Sequence, residues 1–337
     1  MRVLKDNKIM YKSDDYNYIF NKLNGVFMRW GSSLKDDPIK APMPEILDFE
    51  ITEICKGINN APCPFCYKSN NATSGTYTSL EVAKEVIDKM DFVTQIAFGV
   101  DAQCESNPHT FEIMKYAKDK GIVPNVTVAD ISDEVADKLA ELCGAVAVSR
   151  YDDKDVCYNS VKKLTDLGMT QVDIHFMLSK ETLDNLTETI KDIKNDKRLS
   201  KLNAIVLLSL EQKGRGDNYT PVEQNMFNLI CHLLKSNNIR YGFDSCSANK
   251  YIEFCKTFGY ENEITLCEPC ESGLFSSYVN VHGDFYPCSF MEGSYGWEEG
   301  ISVLGKDFIN DVWNSKKLDI WREKFIKNNR SCPIYKV

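Results

Sequence analysis

The sequence predicts an α/β fold, in which six strand-helix units form a partial barrel and an irregular, cysteine-rich α+β extension follows. Three observations predict it. Apolar stretches of strand length alternate with helix-period stretches six times between residues 44 and 240, and that order forces parallel strands joined by right-handed crossovers. Six units are two short of a closed barrel, so a partial (β/α)6 TIM-like barrel with an open side is expected, its chemistry at the carboxyl ends of the strands. After residue 245 the regularity stops, and Cys246, Cys255, Cys267, Cys270, Cys288 and Cys332 crowd into the remaining chain. The expected divisions are an N-terminal hairpin appendage and linker over 1–43, the barrel over 44–240 and an auxiliary domain over 241–337.

The appendage reads as a hairpin. Tyr16, Tyr18 and Phe20 alternate with polar neighbours, Asn24-Gly25 suits a tight turn, and Val26, Met28 and Trp30 alternate again. A proline-containing linker runs from Gly31 to Pro44. The first barrel strand follows with Leu47, Phe49 and Ile51 on one face, and Thr78-x-x-Glu81 reads as a capping box for a helix carrying Leu80, Ala83, Val86, Ile87 and Met90.

The second unit joins Thr94 to Gly99 with a helix opened by Asn107-Pro108 and closed at Gly121. Val123 to Val128 and Ala145 to Val148 are the third and fourth strands, with helices through Leu139 and Leu164. The fifth, Val172 to Leu178, alternates cleanly. The sixth, Ala204 to Leu210, is a continuous apolar run of the kind buried on both faces, followed by Gly214-Arg215-Gly216 and a helix near Phe227. In the extension, Val279 to Tyr286 with Gly283-Asp284 reads as a hairpin, and a helix is expected through Trp313 and Trp321. Asp48, Glu50 and His175 alternate away from the helix-facing residues and should point into the barrel, where a hydrogen-bonded core network is the simpler role for His175.

Composition narrows the function classes. The 337 residues carry 40 basic and 49 acidic side chains, a net charge of -9 that disfavours nucleic acid as a partner. No apolar run of about 18 residues and no secretory signal is present, so a cytoplasmic protein without a membrane span is expected. Thirteen cysteines in a reducing compartment point to metal binding or thiol chemistry rather than disulfides.

The densest signal is Cys55, seven residues, Cys63-Pro-Phe-Cys66-Tyr67, directly after the first strand. Three thiols on a loop rich in Gly, Asn and Pro can wrap a compact inorganic cluster. A 4Fe-4S cluster held by three cysteines leaves one iron open. The competing reading is a structural zinc ion that borrows Cys267-x-x-Cys270.

This loop resembles that of the radical S-adenosylmethionine (radical SAM) superfamily, with a first gap of seven residues where the family usually has three. The resemblance implies a catalytic 4Fe-4S cluster on Cys55, Cys63 and Cys66. It implies S-adenosylmethionine as cofactor, an electron donor such as flavodoxin or ferredoxin, and a 5'-deoxyadenosyl radical that takes hydrogen from a substrate. Tyr67 belongs to the motif. Gly99-Val100-Asp101-Ala102 stands where relatives have a Gly-Gly-Glu-Pro turn that receives the methionine ammonium, Ser149 matches a serine that contacts the cofactor, and Arg150 is the candidate carboxylate partner in place of an arginine that relatives carry further along. Gly214-Arg215-Gly216 also resembles relatives.

Cys270, twelve residues, Gly283, four residues, Cys288 resembles the SPASM and twitch extensions, which hold auxiliary iron-sulfur clusters. Cys267, Cys270, Cys288 and Cys332 then make one auxiliary 4Fe-4S site, with Cys246 in reserve and Tyr335 where relatives carry a last cysteine. Zinc satisfies four thiols equally well. Of the other cysteines, Cys143, Cys157 and Cys231 read as packed in helices, and Cys104 as a packed thiol or a hydrogen donor. The resemblance implies an anaerobic enzyme acting on a peptide or protein side chain, by oxidation, crosslinking or epimerisation. The alternatives are a dehydrogenase of a small metabolite and a non-catalytic zinc or iron-sulfur protein.

Overall fold

The computed structural model describes residues 2–334. The N-terminal part is a four-stranded antiparallel meander of β1 (Arg2–Lys5), β2 (Lys8–Lys12), β3 (Asn17–Asn21) and β4 (Phe27–Trp30). The expected hairpin is β3–β4. A second one, β1–β2, precedes it and turns through Asp6 and Asn7, both at positive φ. Ile9, Tyr18 and Phe20 bury their side chains in a small core with Phe92, Phe275 and Phe325. Arg29 of β4 reaches Glu45, Glu268 and Glu271 at 2.7–3.0 Å, with its guanidinium 3.6 Å from the centre of the Phe275 ring. Further along, the indole nitrogen of Trp313 donates to the Ala41 carbonyl.

The strand-helix units follow: β5 (Ile46–Glu50), α1 (Leu80–Asp88), β6 (Gln95–Gly99), α2 (Thr110–Asp119), β7 (Val123–Val128), α3 (Asp133–Leu142), β8 (Ala145–Ser149) and α4 (Lys154–Asp166). Next come β9 (Val172–Leu178), α5 (Leu183–Asn195), β10 (Ala204–Ser209), α6 (Gln224–Ser236), β11 (Tyr241–Phe243), α7 (Ala248–Phe258) and α8 (Glu261–Ile264). The chain finishes with β12 (Ser276–Val279), β13 (Asp284–Tyr286), β14 (Ile301–Ser302) and α9 (Lys316–Lys327). One ten-stranded sheet runs β11-β10-β9-β8-β7-β6-β5-β12-β13-β14.

This is a mixed α/β fold with a large, open parallel sheet. Seven consecutive strands, not the expected six, are parallel from β5 to β11; the extra one, Tyr241-Gly242-Phe243, is too short to show a period. The sheet does not close on itself, because its end strands are β11 and β14. The expected C-terminal hairpin is β12–β13, turning at Gly283 (φ +80°), and β12 lies parallel to β5 in the register Ser276↔Ile46 to Val279↔Phe49. The cysteine-rich extension therefore continues the main sheet beyond its first strand.

One face of the sheet carries the core. Phe49, Ile96, Val148, Ile174 and Leu207 are at most 3% exposed and pack with the helices. Each such side chain stabilises the fold by roughly 1.5–3 kcal/mol. The other face is accessible: Asp48, Thr127, Ser149, His175, Val206 and Leu208 are half-buried or exposed. The sixth strand thus alternates, contrary to the expectation that both its faces are buried, because the face away from the helices lines an open hollow. The cap of α1 also shifts by one residue. Ser79 accepts from Val82 N, while the Thr78 hydroxyl donates to the Val281 carbonyl instead. Among the described residues no helix is long and apolar enough to cross a membrane.

Candidate active site

The three-cysteine loop leaves the carboxyl end of β5 and is irregular throughout. Gly57, Asn59, Asn60 and Ser69 take positive φ, and a Cβ on Gly57 would stand 1.9 Å from the Ala61 carbonyl oxygen. Hydrogen bonds hold the curl: Cys55 N donates to the Asn71 carbonyl (2.9 Å), Gly57 N to Cys55 Sγ (3.4 Å), and Gln103 Nε2 to the Gly57 carbonyl (2.9 Å). All three thiols are half-buried, so they stay within reach of solvent and ligand.

The loop after β10 fastens this loop from the side. Arg215 donates through Nε to the Cys63 carbonyl (2.7 Å), through its backbone N to the Cys66 carbonyl (3.1 Å) and through Nη2 to the Asn70 carbonyl (3.0 Å). Gly214, at φ +58°, lies so close that a Cβ would be 2.4 Å from the Tyr67 carbonyl oxygen. A flat sheet would hold β5 and β10 about 24 Å apart, five strand spacings. Curl of the sheet and the length of both loops bring them together. Phe65 closes the contact, with its ring centre 5.5 Å from Tyr151 and 5.6 Å from Tyr219.

Burial pushes the Cys63 thiol up to about 12, and Cys66 adds to the shift, while hydrogen bonds from the Phe65 backbone and Tyr151 oppose it. Burial, then Cys63, raises the pKa of the Tyr151 hydroxyl, with Cys55 adding to the shift and Ser149 opposing it, so this hydroxyl stands among the thiols. Thiols of this kind keep their protons until a metal displaces them. Among the described residues no three His, Cys, Asp or Glu side chains converge tightly enough for a single metal ion. Thiolates on a polynuclear cluster each hold a different metal atom and stand farther apart. Three soft donors on one curled loop fit that group.

The remaining expected site residues divide. Tyr67 packs on Phe290 (4.5 Å between ring centres), bonds Ser289, and so ties the loop to the extension; burial, then Glu50, raises its pKa. Ser149 stands beside Tyr151. Asp101 is 3% exposed, and its Oδ1 accepts from Glu105 N, Ser106 N and the Ser106 hydroxyl, which closes its own turn. Arg150 lies on the helix side, where Nη2 meets Glu188 at 2.9 Å and the guanidinium covers Tyr158, with Nε and Nη1 left without partners. Cys104 is fully buried in the main core.

Sequence reading misses a buried ionic group beneath the loop. Lys68 Nζ lies 2.9 Å from Glu50 Oε2 and 2.8 Å from the Tyr278 hydroxyl, and it also pairs with Glu292, which Asn280 holds from the other side. Lys213 donates to the Phe290 and Glu292 carbonyls. The only signal available was an acidic residue on the accessible face of β5 and a lysine two places after Cys66. Asp48, on the same strand face, is open to the hollow yet hemmed in by protein. Burial, then Glu271, pushes its pKa up to about 6.

A second thiol group lies in the extension. The Cys246 thiol donates to the Cys270 sulfur, which lowers the pKa of Cys270 and raises that of Cys246. Cys288 interacts electrostatically with Cys270 and Cys332, and burial pushes its thiol up to about 12. Cys267 turns elsewhere: its sulfur bonds the Glu263 carbonyl at 3.3 Å and faces Cys255. Beside Cys246, Glu211 is 3% exposed; burial, then Asp244, pushes its pKa up to about 8, and hydrogen bonding from the Cys246 thiol opposes the shift. Arg330 clamps the Cys270 and Pro269 carbonyls. Tyr335 lies outside the described residues. Among the described residues no disulfide forms.

None of the protein-family models matches this chain, and none of the curated proteins does. Among solved structures, it is similar to BtrN in complex with AdoMet and 2-DOIA at 13% identity and a TM-score of 0.43, over 83% of this chain and 86% of that one. An open conformation of BtrN is similar at 12% identity and a TM-score of 0.37, over 87% and 91%. A spore coat polysaccharide biosynthesis protein from Bacillus subtilis is similar at 13% identity and 0.37, over 88% and 73%. Similarity at this level assigns nothing to the chain, whose reading rests on its own residues.

Proposed function

We propose that this chain is a radical SAM enzyme whose catalytic cluster sits on Cys55, Cys63 and Cys66. The observation that carries the reading is the curled three-thiol loop at the carboxyl edge of a parallel strand, fastened by Arg215 and Gly214 from the far side of the sheet. Cys55, Cys63 and Cys66 would hold a 4Fe-4S cluster with one iron left open to S-adenosylmethionine, and the cluster would supply one-electron reduction chemistry there. The chain's own residues position and shield. Phe65, Tyr151 and Tyr219 wall the loop, Ser149 and Tyr151 offer hydroxyls beside the thiols, and Lys68 anchors the loop below.

The substrate in this reading is a peptide or protein side chain. It enters the hollow from the open side of the sheet and meets the half-buried Ser149 and His175 on the way. Reducing equivalents come from a small electron-transfer protein. The test is anaerobic purification with iron and sulfide analysis, then a 5'-deoxyadenosine assay with dithionite. Iron binding and S-adenosylmethionine cleavage that both depend on Cys55, Cys63 and Cys66 are expected. A protein that binds no iron, or never cleaves the cofactor with all three intact, overturns the reading.

A further inference from the structure

We propose that the substrate carries an ammonium or guanidinium group and that Asp48 is the residue that receives it. The inference rests on the reading of the hollow as the substrate chamber of a radical SAM enzyme, and it names the chemical class that the chamber admits.

Polar side chains on the accessible face of the sheet satisfy one another. Asn125 Nδ2 donates to Gln95 Oε1 (2.8 Å), Asn203 Nδ2 donates to Asp173 Oδ1 (2.9 Å), and Thr127 Oγ1 stands 3.3 Å from His175 Nδ1. Tyr278 and Lys68 hold Glu50 at 2.7 and 2.9 Å. Asp48 breaks this pattern. Among the described residues its carboxylate accepts no hydrogen bond and forms no ion pair. The charge that acts on it is that of Glu271, another anion, and the ammonium of Lys68 is already shared between Glu50 and Glu292. A carboxylate enclosed by protein is costly unless a cation or a set of donors meets it. The fold supplies neither, so the matching charge comes from the ligand.

The strand register leaves room for that ligand. Asp48 pairs with Ala97 of β6, and Glu50 pairs with Gly99, so on that side nothing longer than a methyl group covers the carboxylate. On the other side Tyr278 is in register with Asp48 but turns its hydroxyl to Glu50. Two residues along an extended strand span about 6.5 Å. Asp48 therefore lies about that far below Glu50, on the strand that runs directly into the three-thiol loop. A cation anchored there carries its stem over Ala97 and Gly99, toward the thiols. Val206 and Leu208, on the same face of the sheet, offer apolar surface to the rest of the molecule. An anionic substrate would be repelled at this position.

The test compares wild type with Asp48→Asn, which keeps the shape and removes the charge. No group of the fold depends on that charge, so the variant should melt at the wild-type temperature or above it. A lower melting temperature would assign Asp48 to the fold and overturn the proposal. Binding is read by ligand-observed NMR on the purified chain without S-adenosylmethionine, with n-pentylammonium, n-propylguanidinium, 1-pentanol and pentanoate as probes. Both cations should bind wild type more tightly than the alcohol and the acid do. Asp48→Asn should weaken the cations by about tenfold or more and leave the alcohol unchanged. Absence of cation binding, equal cation binding by the two proteins, or a preference for pentanoate overturns the proposal.

A peptide with one lysine among glycines separates the two sources of such a cation. Tighter binding of the peptide than of n-pentylammonium assigns the group to a peptide side chain, and the opposite order assigns it to a free amine; both orders support the cation site. None of these measurements requires iron. Intact cation binding with failed S-adenosylmethionine cleavage would overturn the radical SAM reading and leave the cation site standing, which keeps the two failures apart.

Discussion

Replacing Lys68 by methionine removes a cation from between two buried carboxylates while keeping most of its stem. The side chains of Lys68, Glu50 and Glu292 are 13%, 7% and 19% exposed, so solvent screens them little. Losing one member of a buried pair costs about 3–5 kcal/mol, because the partner charge stays buried. Tyr278 still donates to Glu50 (2.7 Å) and Asn280 to Glu292 (2.8 Å), which places the expected loss near ~3 kcal/mol, the low end of that range.

The assay is anaerobic urea unfolding of Lys68→Met at pH 7.5, read as a lower midpoint at unchanged slope. The pH dependence is a second arm. Glu50 already sits above the usual carboxylate range through burial, and without Lys68 it rises further. Its native form then holds a proton that the unfolded chain has released, so the variant regains stability as the pH falls toward 5. Adding Glu50→Gln should recover most of the loss at pH 7.5. A loss below ~1 kcal/mol, or one equal at pH 5.5 and 7.5, would show that the network does not hold the loop.

Two other outcomes follow from geometry already described. Gly214→Ala forces a methyl group to within 2.9 Å of the Cys66 carbonyl oxygen from a left-handed backbone position, so the folded variant should retain less iron on the Cys55 loop than wild type. Iron content equal to wild type would contradict it. Burial lowers the pKa of His175 to about 4, against about 6.5 in an unfolded chain, so the unfolded state binds the extra proton between those values and stability falls as pH drops from 6.5 to 4. His175→Gln should flatten that fall in melting temperature; parallel curves for the two proteins would exclude the role.

The strand-helix repeat was legible because each unit writes its own short-range pattern. Leu47, Phe49 and Ile51, or Val172 to Leu178, alternate with a period that burial on one face alone explains. What escaped was set by contacts distant in sequence. Pairing of β12 with β5 joins positions more than two hundred residues apart and leaves no local mark, and Thr78 lost the helix cap to Ser79 only because Val281 claims its hydroxyl. Three thiols in one loop could be read from spacing. The direction in which a given side chain points could not. Cys267 and Cys270 differ by three positions, yet the first turns its thiol onto the Glu263 carbonyl while the backbone of the second is held by Arg330. Arg150 likewise sits one residue past Ser149, and the alternation of the strand sends it to the helix layer.

The grip of Arg29 on Glu271 spans 242 positions. A ribosome adding 5–20 residues each second needs about 10–50 s to cover that distance. Over that interval the meander has emerged, but Phe275 and Phe325, which cover Ile9, Tyr18 and Phe20, have not yet been made. These four strands are therefore synthesised well before the residues that bury them. A nascent chain stalled before Phe275 should expose them to chaperones and proteases, even when the parallel sheet behind them has already formed.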